Sequence, residues 1–129
     1  MVTKDNTAFA HLQVAVERSW SRETSANPSN WSGNNPAYGQ CAVTALIVQE
    51  FFGGKLLRVE ATSPNERVSH YYNELPDGRT IDFTRRQFPN GTRFSPPEYR
   101  ERGYVLSYPQ TAAKYEMLWK RVLSRLGDS

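Results

Sequence analysis

Apolar residues recur at helical spacing near both ends of the chain. Between residues 7 and 20 the apolar positions are Phe9, Leu12, Val16 and Trp20, which lie on one helical face. After Pro109 a longer stripe of the same spacing consists of Tyr115, Leu118, Trp119, Val122, Leu123 and Leu126. The pattern predicts an amphipathic helix at each end, with one face on the core.

The most apolar stretch, residues 40–52, is apolar on nearly all sides. A continuous apolar run suits either a buried helix or a buried strand. This run is longer than most strands, and Gly53-Gly54 behind it is a typical helix stop. We therefore predict a buried central helix that begins near Cys41.

Strand-like segments follow the buried helix. Residues 55–61, 68–75 and 79–84 are rich in β-branched, aromatic and alternating residues. A short helix is expected at residues 98–102, and a short strand at Val105 and Leu106. The order of helix, loop, buried helix, strands and helix predicts an α+β fold, and the chain length fits a single domain over residues 1–129.

Residues 21–39 separate the first two helices and are rich in Ser, Asn, Pro and Gly. Long irregular segments in small domains are usually either functional or disordered. Disordered linkers contain few large aromatic residues, whereas this segment contains Trp31 and Tyr38. We expect the loop to be ordered and to pack beside the functional site.

The charge balance limits the classes of partner. Sixteen Lys and Arg residues stand against thirteen Asp and Glu residues, a formal net charge of +3. These charges are spread along the chain, whereas nucleic-acid binding needs a concentrated basic surface. No apolar stretch is long enough to span a bilayer, and the N-terminus lacks the apolar core of a signal peptide. We expect a cytoplasmic protein without a membrane or nucleic-acid partner.

One cysteine and two histidines restrict the chemistry further. A single cysteine cannot form an internal disulfide, which suits a reducing compartment. It also cannot supply several thiolates to a structural zinc site, and His11 and His70 alone rarely make a metal centre. His11 lies beside the apolar stripe of the first helix and is expected at the surface. We therefore expect neither a metal nor a cofactor.

Cys41 follows Gly39-Gln40 at the predicted start of the buried helix. Unpaired N–H groups and the positive end of the helix dipole collect there, and both favour a thiolate. The same N–H groups suit the negative oxygen of a tetrahedral intermediate. The alternative is a small buried cysteine that packs like alanine.

His70 and Asp82 occupy the two arms of a predicted hairpin around Pro76-Asp77-Gly78. With a three-residue loop and a left-handed Gly78, Tyr72 opposes Asp82, and His70 becomes a diagonal neighbour of Asp82 on the same face. A two-residue loop would place the two on opposite faces. Asp77 is a competing acid, but turn preference explains its presence.

The blocks GQCAVTALIVQEFFGG and SHYYNELPDGRTIDFTRRQF carry a family resemblance. Over about residues 35–88 they resemble the YunG-like family of small bacterial proteins of uncharacterised function. A helix-start cysteine, a strand histidine and an aspartate in the next strand also resemble the papain and transglutaminase-like superfamily. The resemblance implies a compact α+β fold in which a cysteine helix packs on a small antiparallel sheet.

Further residues are candidates for a site around Cys41. Papain-like proteases place an oxyanion-donor glutamine several residues before the cysteine, whereas Gln40 is directly adjacent. The candidate oxyanion donors are Gln40, Tyr38, Asn34 and Trp31. Arg85 and Arg86 follow the aspartate strand, and they are either a solvated turn or a site for an acidic group of the substrate.

The leading hypothesis is thiol-dependent acyl chemistry on a small amide or peptide, through a thioester on Cys41. Hydrolysis, deamidation and acyl transfer all use this intermediate, with His70 as the base and Asp82 as the group that orients the ring. A non-catalytic binding domain that keeps the fold is the first alternative. A nucleic-acid or partner-interaction module is the second. The sequence does not indicate an oligomeric state.

Overall fold

The computed structural model describes residues 6–127, so the ends of the predicted domain, residues 1–5 and 128–129, lie outside it. The helices are α1 (Asn6–Ser19), α2 (Cys41–Phe52), α3 (Arg102–Leu106) and α4 (Pro109–Gly127). The strands are β1 (Lys55–Thr62), β2 (Arg67–Glu74), β3 (Thr80–Ile81), β4 (Arg93–Phe94) and β5 (Glu98–Arg100). Single 3₁₀ turns occur at Arg22–Thr24, Pro28–Asn30 and Arg85–Gln87.

The main core lies between α1, α2 and α4. The three long predicted helices, which are α1, α2 and α4, are confirmed within about two residues at each end. Buried apolar side chains from all three helices pack into one cluster that includes Leu12, Val16, Val43, Ile47, Leu118 and Val122. Helix α2 is apolar on most sides because α4 packs against it and the sheet lies beside it.

The sheet is antiparallel and has the order β3-β2-β1-β4, with β5 also paired to β1. Strand β1 pairs with β2 over its whole length, from Lys55 opposite Glu74 to Thr62 opposite Arg67. The buried side-chain amide of Asn73 donates to the carbonyl of Ala45 in α2 at 2.9 Å. This bond fixes α2 against β2, so the first turn of α2 lies beside the start of that strand.

The hairpin between β2 and β3 has the predicted three-residue loop. Leu75 donates its N–H to the carbonyl of Arg79, and Gly78 has a φ of 92°. Asn73 pairs with Ile81, and continuing that register sets Tyr72 opposite Asp82. Strand β3 contains only two residues, so the predicted strand 79–84 is too long, and Asp82 begins the turn that follows it.

The expectations for residues 98–106 are wrong. Residues 98–102 do not form a helix, because Glu98–Arg100 pairs along β1 and becomes β5. Val105 and Leu106 belong to α3 instead of a strand. In α3, Val105 is buried against apolar residues of α2 and β1, and Arg102 donates to the Leu46 carbonyl at 3.1 Å. These long-range contacts outweigh the local preferences.

Hydrogen bonds within residues 21–39 hold this loop beside the start of α2. The N–H of Ala26 donates to the carbonyl of Gly39 at 2.8 Å, and the Ser25 hydroxyl donates to the carbonyl of Tyr38 at 2.8 Å. The loop therefore packs beside Cys41, as expected. Within residues 6–127, none of the helices has the length and apolar character required to cross a membrane.

Gly39 is the one loop position before Cys41 where a side chain would be strained. Its φ is +73°, and a Cβ atom there would overlap the Ser25 hydroxyl and approach the backbone of Ala26. We expect Gly39→Ala to lower the free energy of unfolding by about 1–3 kcal/mol in a denaturant titration. Gly33→Ala in the same loop is the control, since a Cβ there meets no atom within 4 Å. Equal stability of the two variants would contradict this prediction.

Candidate active site

Cys41 is the first residue of α2 and is partly exposed. The first N–H groups of a helix have no intrahelical acceptor, so those of the first turn of α2 point out of the helix end around Cys41. The Cys41 thiol lies 3.9 Å from the carbonyl oxygen of Ser69, on the part of β2 that β3 does not pair with. The thiol is therefore at a helix end, next to the strand that carries His70.

The imidazole of His70 lies between Asp82 and Cys41. Its Nε2 is 2.6 Å from Oδ2 of Asp82. The His70 side chain is completely buried, and among residues 6–127 its Nδ1 has no hydrogen-bond partner. Cys41 is close enough to the ring to alter its pKa. One ring nitrogen thus contacts the Asp82 carboxylate, and the other is buried without a hydrogen-bond partner.

The charge state of His70 follows from three opposing influences. Burial lowers the pKa of the ring, because it disfavours the charged form. The hydrogen bond and charge of Asp82 raise the pKa, and so does the neighbouring Cys41 thiol. The result is a His70 pKa raised to about 9. At neutral pH the ring is therefore an imidazolium.

Asp82 is held as a carboxylate by the groups around it. Burial raises its pKa, but the hydrogen bond and charge of His70, and then those of Arg85, outweigh burial and keep the pKa below its usual range. The Nε of Arg85 donates to Oδ2 of Asp82 at 2.8 Å, and the Thr84 N–H donates to Oδ1 at 3.1 Å. The carboxylate therefore has a fixed position behind the ring.

Aromatic rings enclose the His70–Asp82 pair. The Phe88 ring meets the imidazole edge-on at a centroid distance of 4.9 Å, and the Tyr72 ring stacks at 5.9 Å. The Arg85 guanidinium lies 4.1 Å from the centroid of the Phe94 ring. This packing removes water from the pair and strengthens its hydrogen bond.

Cys41 opens on a cleft of about 440 Å³ between the start of α2, the sheet and α3. Side chains that line it include Arg58, Ser69, Tyr71, Arg100 and Tyr104. None of these residues was among the candidates predicted from the sequence. The sequence signals for them were Arg58, which stands between apolar residues of its strand, and several tyrosines and arginines between residues 99 and 108. The volume suits a small molecule or a short peptide segment.

Comparison with known proteins gives the family. The model of the family described as "YunG protein" matches residues 8–127. The chain belongs to the YunG family. The YunG relative "Uncharacterized protein YunG" of Bacillus subtilis (strain 168) is 33% identical over 96 residues, which cover 74% of this chain and 76% of that protein. The predicted YunG-like resemblance is confirmed, and it extends well beyond residues 35–88. No solved structure matches the chain significantly.

The candidate oxyanion donors of this YunG chain do not line the cleft. Gln40 is completely buried, and its amide donates to the Ser21 carbonyl at 2.9 Å and accepts from the Thr24 hydroxyl at 2.8 Å. The hydroxyl of Tyr38 donates to a carboxylate oxygen of Glu66, and the indole N–H of Trp31 donates to the Pro36 carbonyl. Asn34 is exposed in the loop. Three of the four side chains thus form hydrogen bonds with other residues of the protein.

Arg85 and Arg86 also lie outside that cleft. Arg85 supports Asp82, so its guanidinium acts on the charge pair behind His70. Arg86 bridges to Glu17 at 3.2 Å and lies 5.5 Å from the centroid of the Trp20 ring. The arginines that face Cys41 across the cleft are Arg58 and Arg100.

The remaining titratable candidates lie apart from the cleft. His11 is exposed on α1, as expected. Asp77 accepts hydrogen bonds from the N–H and the guanidinium of Arg79 within its turn, which explains its presence there. Among the described residues no three His, Cys, Asp or Glu side chains are grouped so that they could hold a metal ion.

Proposed function

We propose that this YunG-family chain is an enzyme of thiol-dependent acyl chemistry, which acts on an amide through a thioester on Cys41. The observation that carries the proposal is the buried imidazole of His70, bound to Asp82 on one side and next to a partly exposed thiol on the other. A buried ring nitrogen without a partner beside a nucleophile is typical of a catalytic pair.

The charges of the site support a mechanism that starts from an ion pair. In this mechanism the sulfur attacks as a thiolate, and the imidazolium of His70 stabilises its negative charge. The sulfur attacks the carbonyl carbon of the amide, which forms a C–S bond and places a negative charge on the carbonyl oxygen. As the C–N bond breaks, His70 gives its proton to the leaving amine. A thioester on Cys41 and a neutral ring remain.

The second half of the reaction releases the acyl group. A water molecule or an amine gives a proton to His70 and attacks the thioester carbon. The C–S bond then breaks, and the sulfur again pairs with the imidazolium. Water as the acceptor gives hydrolysis or deamidation, and an amine gives acyl transfer. Asp82 keeps the ring oriented and balances its charge throughout both halves.

Backbone groups are the best supported oxyanion donors. The first-turn N–H groups of α2 point toward the region in front of Cys41, and the helix dipole adds positive potential there. The side chains of Gln40, Tyr38 and Trp31 are engaged elsewhere. The negative oxygen of the intermediate therefore binds the backbone at the tip of α2.

The order of the parts supports a papain or transglutaminase-like fold for the YunG chain. A cysteine begins a buried helix, a histidine follows in a strand packed on that helix, and an aspartate follows the next strand. In this arrangement Nε2 of His70 contacts the carboxylate, which leaves Nδ1 for the thiol. The size of the cleft suits a small amide or a short peptide.

An activated ester tests the proposal without knowledge of the natural substrate. Incubation with p-nitrophenyl acetate at about pH 6 should acetylate Cys41, visible by intact-mass and peptide mass spectrometry. The control is the double variant Cys41→Ala, Ser32→Cys, which moves the single thiol to an exposed loop position. We expect Cys41 to react at least about tenfold faster than the control, because an ordinary thiol is almost fully protonated at this pH.

Two results would contradict the proposal. One is acetylation of Cys41 at the rate of the loop thiol in the double variant. The other is an acetyl group that forms on Cys41 but is released neither by water nor by added amines. Either result would favour a non-catalytic binding domain.

A further inference from the structure

The cleft in front of Cys41 is positively charged. Arg58 and Arg100 line it, and none of the described residues in its wall is an Asp or a Glu. Both arginine side chains are about a quarter exposed, so they are accessible to solvent. A surface of this kind attracts anions.

Strand pairing fixes both arginines on one face of the sheet. Leu56 pairs with Arg100 and Arg58 pairs with Glu98, so the two arginines are diagonal neighbours across β1 and β5. Arg58 also stands opposite Tyr71 of β2. The two cations are therefore built into adjacent strands, where their backbones cannot move apart.

Arg58 is hydrogen-bonded to Ser69, the residue that also contacts the Cys41 thiol. Its Nε and Nη2 donate to the hydroxyl of Ser69 at 3.2 and 2.7 Å. The carbonyl of the same Ser69 lies 3.9 Å from the Cys41 sulfur. One residue thus links the cation and the nucleophile, and the guanidinium is held in place before any ligand arrives.

Glu98 offsets this charge only in part. Its Oε1 lies 3.7 Å from Nη1 of Arg58 and 3.3 Å from Nη2 of Arg100. The Glu98 side chain is 60% exposed, and such solvated pairs contribute little. One carboxylate shared by two guanidinium groups leaves a net positive charge and free N–H donors.

Tyrosines complete the wall beside the arginines. Tyr104 and Tyr108 meet edge to face at 5.7 Å, and their hydroxyls are 3.1 Å apart. Both rings are about half exposed, and the Arg100 guanidinium lies 5.9 Å from the Tyr104 ring. The rings offer an apolar surface for a short carbon chain, with hydrogen-bond donors at its edge.

We propose that the acyl donor of Cys41 carries a carboxylate at the end of a short carbon chain, bound by Arg58 and Arg100. This inference rests on the proposed function, since it assigns the substrate class of the same thiol. Cys41 marks the reacting end of the cleft, and the arginine pair marks the other end. Guanidinium groups bind a carboxylate through paired hydrogen bonds that a neutral group cannot replace.

Two esters of matched length test the substrate class. Mono-p-nitrophenyl glutarate ends in a carboxylate, and p-nitrophenyl valerate ends in a methyl group at the same position. We expect the second-order rate of Cys41 acylation to be at least about tenfold higher for the glutarate at low salt, because the carboxylate gains charge-assisted hydrogen bonds. Added salt should reduce the ratio.

Single substitutions test whether the two arginines cause the preference for the glutarate ester. Arg58→Gln and Arg100→Gln should each bring the glutarate-to-valerate ratio toward one. Arg67→Gln removes a positive charge from an exposed position on β2 outside the cleft, so it should keep the wild-type ratio. The ratio cancels any loss of general reactivity that a partly misfolded variant would show.

The outcomes separate the two proposals. If both esters acylate Cys41 faster than the loop-thiol control but at equal rates, the carboxylate class is overturned and the thiol mechanism stands. If neither ester exceeds the control, the proposed function fails, and this inference fails with it. The assignment to Arg58 and Arg100 is also overturned if Arg67→Gln abolishes the glutarate preference as fully as Arg58→Gln and Arg100→Gln do. The general positive charge of the protein would then explain the preference.

Discussion

Replacement of His70 by glutamine should lower the rate of Cys41 acetylation by p-nitrophenyl acetate by about 10- to 100-fold at pH 6. In the proposed mechanism the imidazolium stabilises the negative charge of the attacking sulfur, and glutamine supplies no positive charge. An ordinary thiol is less than about 1% thiolate at pH 6, although its higher intrinsic nucleophilicity offsets part of the loss. Glutamine can still donate an amide N–H to Asp82, so the pocket stays filled.

The pH profile makes this prediction specific. Because the pKa of His70 is raised to about 9, the wild-type advantage should persist through neutral pH and disappear as the pH rises through about 9. His11→Gln is the matched control, since it removes the exposed histidine of α1. It should acetylate at the wild-type rate at every pH. A His70→Gln profile parallel to that of the wild type would show that His70 does not ionise the thiol.

The relation between His70 and Asp82 could be predicted from sequence because it depends on local geometry. A Pro-Asp-Gly loop with a left-handed glycine fixes the hairpin register, and the register fixes which side chains share a face. The extent of α2 was predictable for a similar reason. Its apolar run has the length of a typical helix, and Gly53 marks the end of that run. In both cases a few adjacent residues decide the outcome.

The cleft could not be predicted, because it is made by contacts between distant segments. Arg58 and Arg100 are 42 positions apart, and they meet only because β5 pairs with β1. The local sequence of residues 98–102 favours a helix, and pairing with an open strand edge overrides that preference. Without β5 in place, nothing in the sequence indicates which charged residues face Cys41.

The directions of side chains could not be predicted from the sequence either. Gln40 is adjacent to Cys41 in sequence, yet its amide turns inward to Thr24 and Ser21, where it fixes the loop to the helix start. Arg85 follows the aspartate strand and folds back on Asp82 instead of facing the cleft. A sequence pattern gives the position of a residue on an element, but packing decides which neighbour a long polar side chain reaches.

Replacement of Asp82 by asparagine should lower the free energy of unfolding at about pH 6 by on the order of 3 kcal/mol. In the wild type, the buried imidazolium of His70 has the Asp82 carboxylate as its counter-charge at 2.6 Å. Asparagine keeps the shape and an oxygen acceptor but removes the charge. Burial then acts on His70 without the Asp82 carboxylate to offset it, and burial lowers the pKa of a histidine.

The dependence of stability on pH separates loss of this charge pair from a simple packing defect. The folded pKa of His70, about 9, lies above its ordinary value of 6.5, so the stabilisation is complete below about pH 6.5 and is lost as the pH rises through 9. Denaturant titrations between pH 6 and 9 should show this decline for the wild type. Asp82→Asn should remove it, because the folded ring no longer binds a proton more tightly than the unfolded one.

Asp77→Asn is the control for the aspartate change. Asp77 is exposed in the hairpin turn and pairs only with Arg79 among the interactions described for it, and asparagine suits the same turn. This variant should keep the wild-type decline in stability between pH 6 and 9, since His70 and Asp82 are untouched. If Asp82→Asn shows the same decline as Asp77→Asn, the carboxylate does not hold the imidazolium, and the ion-pair mechanism at Cys41 loses its basis. Persistence of the decline in His70→Gln would instead assign it to another group.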